Sequence, residues 1–180
     1  MSKAIFGLAL VLGLAGVCFG DEKPLVVDKL ADRHESTSAD AILTVEEHKT
    51  DEGEVLHFKL HLFTEYFSRK GTGRAYAALV IFDRKGQQLD AIEASNTIGA
   101  VWNQKRRSQS ADSSITEPAD QVGGWVFVID AEHRHGIPAT PADVKSWWTT
   151  HREEYLNVAK GLKPGTEENV GECGSVFRFR

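Results

Sequence analysis

The chain has 180 residues, with 26 acidic and 21 basic side chains and a formal charge of −5 at pH 7. That length is enough for one domain with a full hydrophobic core. The acidic balance argues against non-specific nucleic-acid binding, which needs an excess of Lys and Arg against phosphate.

The N-terminus has the three-part layout of a secretory signal: Lys3, an uncharged apolar run from Ala4 to Val17, then Cys18 and Gly20 as small residues ahead of Asp21. The run is shorter than the ~20 apolar residues of a spanning helix. The expectation is export and cleavage after Gly20, leaving residues 21–180 secreted or periplasmic with no transmembrane span. Val17 is too large for the position before a lipidated cysteine, and an uncleaved segment would tether the same domain to a membrane face. Cleavage removes Lys3, so the formal charge moves from −5 to −6. It also removes Cys18, leaving Cys173 as a lone thiol that cannot form an internal disulfide. The chain contains no Asn-x-Ser/Thr glycosylation signal.

Residues 21–40 are polar apart from Leu25-Val26-Val27 and Leu30, and read as a loosely ordered lead-in with a short edge strand. Residues 41–180 read as a single β-rich domain. Leu43 and Val45, then Leu56, Phe58, Leu60 and Leu62, alternate with polar neighbours around Thr50-Asp51-Glu52-Gly53, which predicts a β-hairpin with one wet face. A loop from Asp51 to Glu54 sets Lys49 opposite Leu56, Val45 opposite Leu60 and Leu43 opposite Leu62. On the wet face the same register pairs His48 with His57, Glu46 with Lys59 and Thr44 with His61.

Ala75 to Phe82 is apolar at every position and predicts a strand covered on both faces. Asp83-Arg84-Lys85-Gly86 is a tight turn, and Leu89 to Ile92 returns beside it. Val101-Trp102 can start a strand, whereas Lys105-Arg106-Arg107 and the Ser-rich stretch from Ser108 to Ser114 look exposed. Trp125 to Ile129 is a second strand apolar on both faces. Thr140 as N-cap, Pro141 at the first helical position and Asp143 at the third predict a helix over 141–161, ended by Gly161 and Pro164. Val144, Trp148, Tyr155, Ala159 and Leu162 form its apolar stripe, with Trp147 and Val158 beside it. Ser175 to Arg180 predicts a last strand. The fold class is therefore α+β and mostly β: an antiparallel sheet or β-sandwich with one long C-terminal helix packed on it. The hairpin rhythm from Ala75 to Ile92 resembles immunoglobulin-like and transthyretin-like extracellular sandwiches in general, a likeness that brings no site residue with it.

Candidate sites are few. His48 and His57 on facing strands suit a shared transition-metal ion such as zinc, as do Asp130, His133 and His135 in the loop after a buried strand. Against these stand a solvated strand face and a plain polar loop. Trp102 with Lys105, Arg106 and Arg107 offers an aromatic platform and cationic donors for an anion or glycan. Cys173 lacks a histidine placed by sequence to activate it, and reads as a small buried apolar residue. No serine-elbow, phosphate-loop, CxxC or HExxH pattern occurs. The expected function is a non-enzymatic exported binding or interaction module without a cofactor, for an extracytoplasmic protein, glycan or small ligand. The alternative is a metal-binding protein or metal-dependent enzyme built on a His/acid cluster. An envelope structural role would need Leu25-Val26-Val27 or the Phe177/Phe179 strand as an exposed pairing edge.

Overall fold

A computed structural model describes residues 24–137 and 140–180, so the signal-like segment of residues 1–20 lies outside the described residues. In chain order the elements are β1 (Val26–His34), β2 (Thr37–Thr50), β3 (Gly53–Tyr66), β4 (Thr72–Asp83), β5 (Gln88–Gly99), β6 (Arg107–Pro118), β7 (Val122–Ala131), α1 (Pro141–Gly161), β8 (Thr166–Val170) and β9 (Gly174–Arg178). They form two antiparallel sheets, ordered β1-β2-β3-β6 and β5-β4-β7-β9-β8. No helix among the described residues is long and apolar enough to cross a membrane.

Period-two alternation builds the first core. Ala41, Leu43 and Val45 of β2 and Leu56, Phe58, Leu60 and Leu62 of β3 turn inward. They meet Leu79 and Ile81 of β4, Trp125, Phe127 and Ile129 of β7, and Phe177 and Phe179. The intervening residues of the same central strands face away. Ala78, Val80, Phe82, Val126, Val128 and Val176 make a second core with Val144, Trp147, Trp148, Tyr155 and Ala159 of the helix. The helix begins as the sequence predicts: the Thr140 hydroxyl accepts the Asp143 N–H and donates to the Asp143 carboxylate at 2.6 Å. Trp148 stacks on Phe82 with ring centroids 5.8 Å apart, while Lys145 and Glu153 face solvent.

Four details differ from the sequence expectation. The β2–β3 hairpin closes in two residues, Asp51-Glu52, with Thr50 opposite Gly53. Gly53 takes φ +133, and the Thr50 hydroxyl donates to its carbonyl and accepts the Glu52 N–H, which shortens the turn. Each partner therefore shifts by two positions, and the inward face is kept because the strand period is two. Val45 faces Phe58 and Leu43 faces Leu60.

Where a loosely ordered lead-in with a short edge strand was expected, the segment is ordered and its edge strand β1 runs for nine residues. Its inward acids are bonded across the sandwich: Asp32 accepts the Ala131 N–H at 2.8 Å, and Asp28 accepts the Ser175 hydroxyl. The Ser-rich segment is strand β6, held mainly by its main-chain ladder to β3. The exposed Thr-Glu-Glu-Asn run forms β8, which has no apolar alternation to announce it. With β8 outside it, β9 is interior and Phe177 and Phe179 are buried, so that strand offers no pairing edge. Leu25 and Val27, beside and on edge strand β1, are about half exposed.

Truncating Trp148 to Ala should cost ~3–5 kcal/mol through lost burial and a cavity between helix and sheet. Lys145→Ala should cost less than about 0.5 kcal/mol, as at other exposed sites. Chemical denaturation of the two variants distinguishes them; equal losses would mean that the helix is docked by another face.

Candidate functional site

The outer face of the first sheet carries the even residues of β2 and the odd residues of β3. With the two-residue hairpin, Glu46 lies opposite His57, Thr44 opposite Lys59 and Ile42 opposite His61. This corrects the expected pairing of His48 with His57. The two imidazoles are diagonal neighbours with ring centroids 6.1 Å apart, and His48 itself faces Val55.

The same shift supplies a third donor. One ligand atom each from Glu46, His48 and His57 lies within 4.8 Å of the others, the only such group of three among the described residues. Glu46 Oε2 is 3.4 Å from His48 Nε2 and accepts a 2.7 Å hydrogen bond from Lys59 Nζ. The Lys59 hydrogen bond, with its charge and that of His48 adding, outweighs partial burial and holds the Glu46 carboxyl below the usual carboxylate range. The set thus combines an ionised carboxylate with two imidazoles on rigid neighbouring strands. Two His and one Glu are a known zinc donor set, leaving a fourth position for water or ligand. Lys59 takes the role of an outer partner that orients the carboxylate. His61, further along the face, pairs with Asp112 at 2.6 Å and stands apart from the triad.

The loop after β7 is arranged differently. Asp130 is fully buried, and its Oδ2 accepts the backbone N–H groups of His135 and Ile137 at 2.9 and 3.0 Å. It anchors the loop through main chain instead of joining the two imidazoles at an ion. Glu132 and His133 both have positive φ, +63 and +59, which turns their side chains apart. Glu132 accepts the Thr37 hydroxyl and the Arg74 N–H, whereas the His133 ring packs on Tyr76 at 4.1 Å. His135 Nε2 accepts from Arg134 at 3.2 Å and lies 3.7 Å from Asp32.

Cys173 is half-buried in the β8–β9 turn, packed against both cores, and its carbonyl accepts the Ile129 N–H. Burial first, then the Asp130 and Asp32 carboxylates, push its thiol up to about 11.

On the β5–β6 connection Trp102 is 87% exposed. Arg106 binds Glu65 and lies over the Phe67 ring, and Arg107 donates to the Gly99 carbonyl. Lys105 is exposed. Two of the three cations are thus engaged in holding the loop, and Trp102 stands clear of them.

No protein-family model matches the chain, and no curated protein shows significant sequence similarity to it.

Two outcomes follow from the buried end of β7. Asp130→Ala strands two backbone N–H groups and should cost about 2–3 kcal/mol in denaturant unfolding. Iodoacetamide should alkylate Cys173 slowly at pH 8, where a thiol titrating near 11 is only about one-thousandth thiolate. Because that thiol is raised in the folded state, its contribution to stability is intact below the free-thiol value. It declines as pH rises toward 11. Alkylation as fast as for a free cysteine would contradict the half-buried placement.

Proposed function

We propose that the chain is an exported, non-enzymatic binding module whose outer sheet face takes a transition-metal ion, zinc being the probe of choice, through Glu46, His48 and His57. The convergence of three donor atoms within 4.8 Å carries this reading. Two further features support it. The donors project from paired strands whose inward neighbours are buried, so the backbone holds their positions without help from a ligand. They also stand on a partly solvent-accessible face, with Glu46 and His48 side chains 22% and 35% exposed, which suits capture of an ion from solution. Export rests on the layout of residues 1–20.

Zinc titration of the purified protein by calorimetry should show one ion per chain. His57→Ala and His48→Ala should each weaken binding by at least about tenfold, because two remaining donors make a poor zinc site. Lowering the pH from about 7.5 to about 5.5 should weaken it as well, since an imidazole nitrogen ligates only when unprotonated. Undiminished binding in the double variant would remove these residues from the site. Metal-dependent turnover lost in His57→Ala would replace capture with catalysis.

A further inference from the structure

A cavity lies at the far end of the other sheet, between the β4–β5 turn, the C-terminal half of α1 and the end of the chain. Its volume is about 590 Å³, and Phe82, Leu156 and Ala159 give it an apolar floor. That volume falls in the range of small-molecule sites. Gly86, at φ +76, lets the turn close against Leu156: a Cβ there would stand 2.3 Å from a Leu156 methyl carbon.

The rim is basic although the chain as a whole is acidic. Arg84, Lys85 and Lys160 border the cavity, are exposed, and have no acidic partner among the described residues. Arg178 and Arg180 stand behind them, already engaged. Arg178 donates to the Lys160 and Leu162 carbonyls at the helix C-terminus, and Arg180 pairs with Glu47. The Arg178 contact matters here, because uncovered C-terminal carbonyls carry the negative end of the helix dipole and would repel an anion. Asp83 is the one acid lining the cavity, and its carboxylate is turned inward to accept the Lys85 and Gln87 N–H groups at 2.8 Å each. Three unpaired cations therefore face an apolar floor with the nearest negative groups already satisfied.

We propose that this cavity binds a small amphipathic organic anion, its apolar body on Phe82, Leu156 and Ala159 and its anionic head among Arg84, Lys85 and Lys160. Apolar contact supplies the attraction for the body, and the exposed cations on the rim fix the head and disfavour neutral analogues. This site lies apart from Glu46, His48 and His57, so its test is independent of metal binding.

Decanoate is a suitable probe, titrated below its micelle concentration at low salt, with binding followed by calorimetry and backbone amide shifts by NMR. Saturable binding at one site that moves the Gly86 and Gly123 amides is expected. Decanol and inorganic phosphate, each carrying half of the chemistry, should bind at least about tenfold more weakly. Lys85→Glu with Lys160→Glu should weaken decanoate by at least about tenfold. Lys29→Glu with Arg33→Glu, the same charge change on the exposed face of β1, should alter it by less than about twofold. Arg84→Gln, a single exposed change on the turn, gives an independent severalfold loss if the double variant misfolds. Equal losses in the two double variants would reduce the effect to overall charge and overturn the site. Absence of saturation, or binding to phosphatidylglycerol vesicles with none to free decanoate, would also overturn it.

Discussion

Strands β4 and β7 send alternate side chains into two cores on opposite faces of their sheet, and each core needs its own cover. Leu79, Ile81, Phe127 and Ile129 are covered by β2 and β3; Val80, Phe82, Val126 and Val128 are covered by α1. Neither cover is optional. A strand pair apolar on both faces and covered on one would leave a contiguous apolar patch in water. The aromatic residues sit where the layers meet. Trp125 stacks on Phe177 in one core, and Trp148 stacks on Phe82 in the other.

The seams of the sandwich are polar and specific. On one side Asp28 and Asp32 turn inward from β1 to hydrogen-bond Ser175 and Ala131. On the other, the buried Asn96 amide of β5 reaches the Leu62 carbonyl, the Thr64 hydroxyl and the Gln109 carbonyl on β3 and β6. Hydrophobic burial is non-directional and tolerates sliding of one sheet over the other. These bonds are directional, and a slip would strand buried polar groups without partners. The cavity beside α1 depends on this fixed frame, since it draws residues from a turn, the helix and the end of the chain, whereas Glu46, His48 and His57 need only the β2–β3 hairpin.

The parts of the fold legible in sequence were those written as apolar pattern: the inward faces of β2 and β3, the two-sided strands, and the helix with its cap and stripe. What escaped was held by other means. Strand β6 is joined to β3 and strand β8 to β9 through main-chain hydrogen bonds, which leave no trace in side-chain pattern. Strand β1 looks solvated because its acids find partners more than 90 residues away. The grouping of Glu46, His48 and His57 was half visible. His48 and His57 stood on one face, but the third donor depended on whether the hairpin turned in two residues or four, and Gly53 with Thr50 decided that. The cationic cavity was invisible, because Arg84 and Lys85 border the same cavity as Lys160 only once α1 lies across the sheet.

Closing the β1 seam joins the two ends of the described chain. Asp32 and Ala131 are separated by 99 residues, Asp28 and Ser175 by 147. Such contacts require almost the entire polypeptide to be present and already approximately arranged, so this seam belongs late on the folding route, and the topology favours slow folding. Until β9 is available, the inward carboxylates of β1 oppose its burial and keep the first sheet from closing over an incomplete partner. Such a delay lengthens the interval in which the chain remains unfolded and its apolar strands open to other contacts.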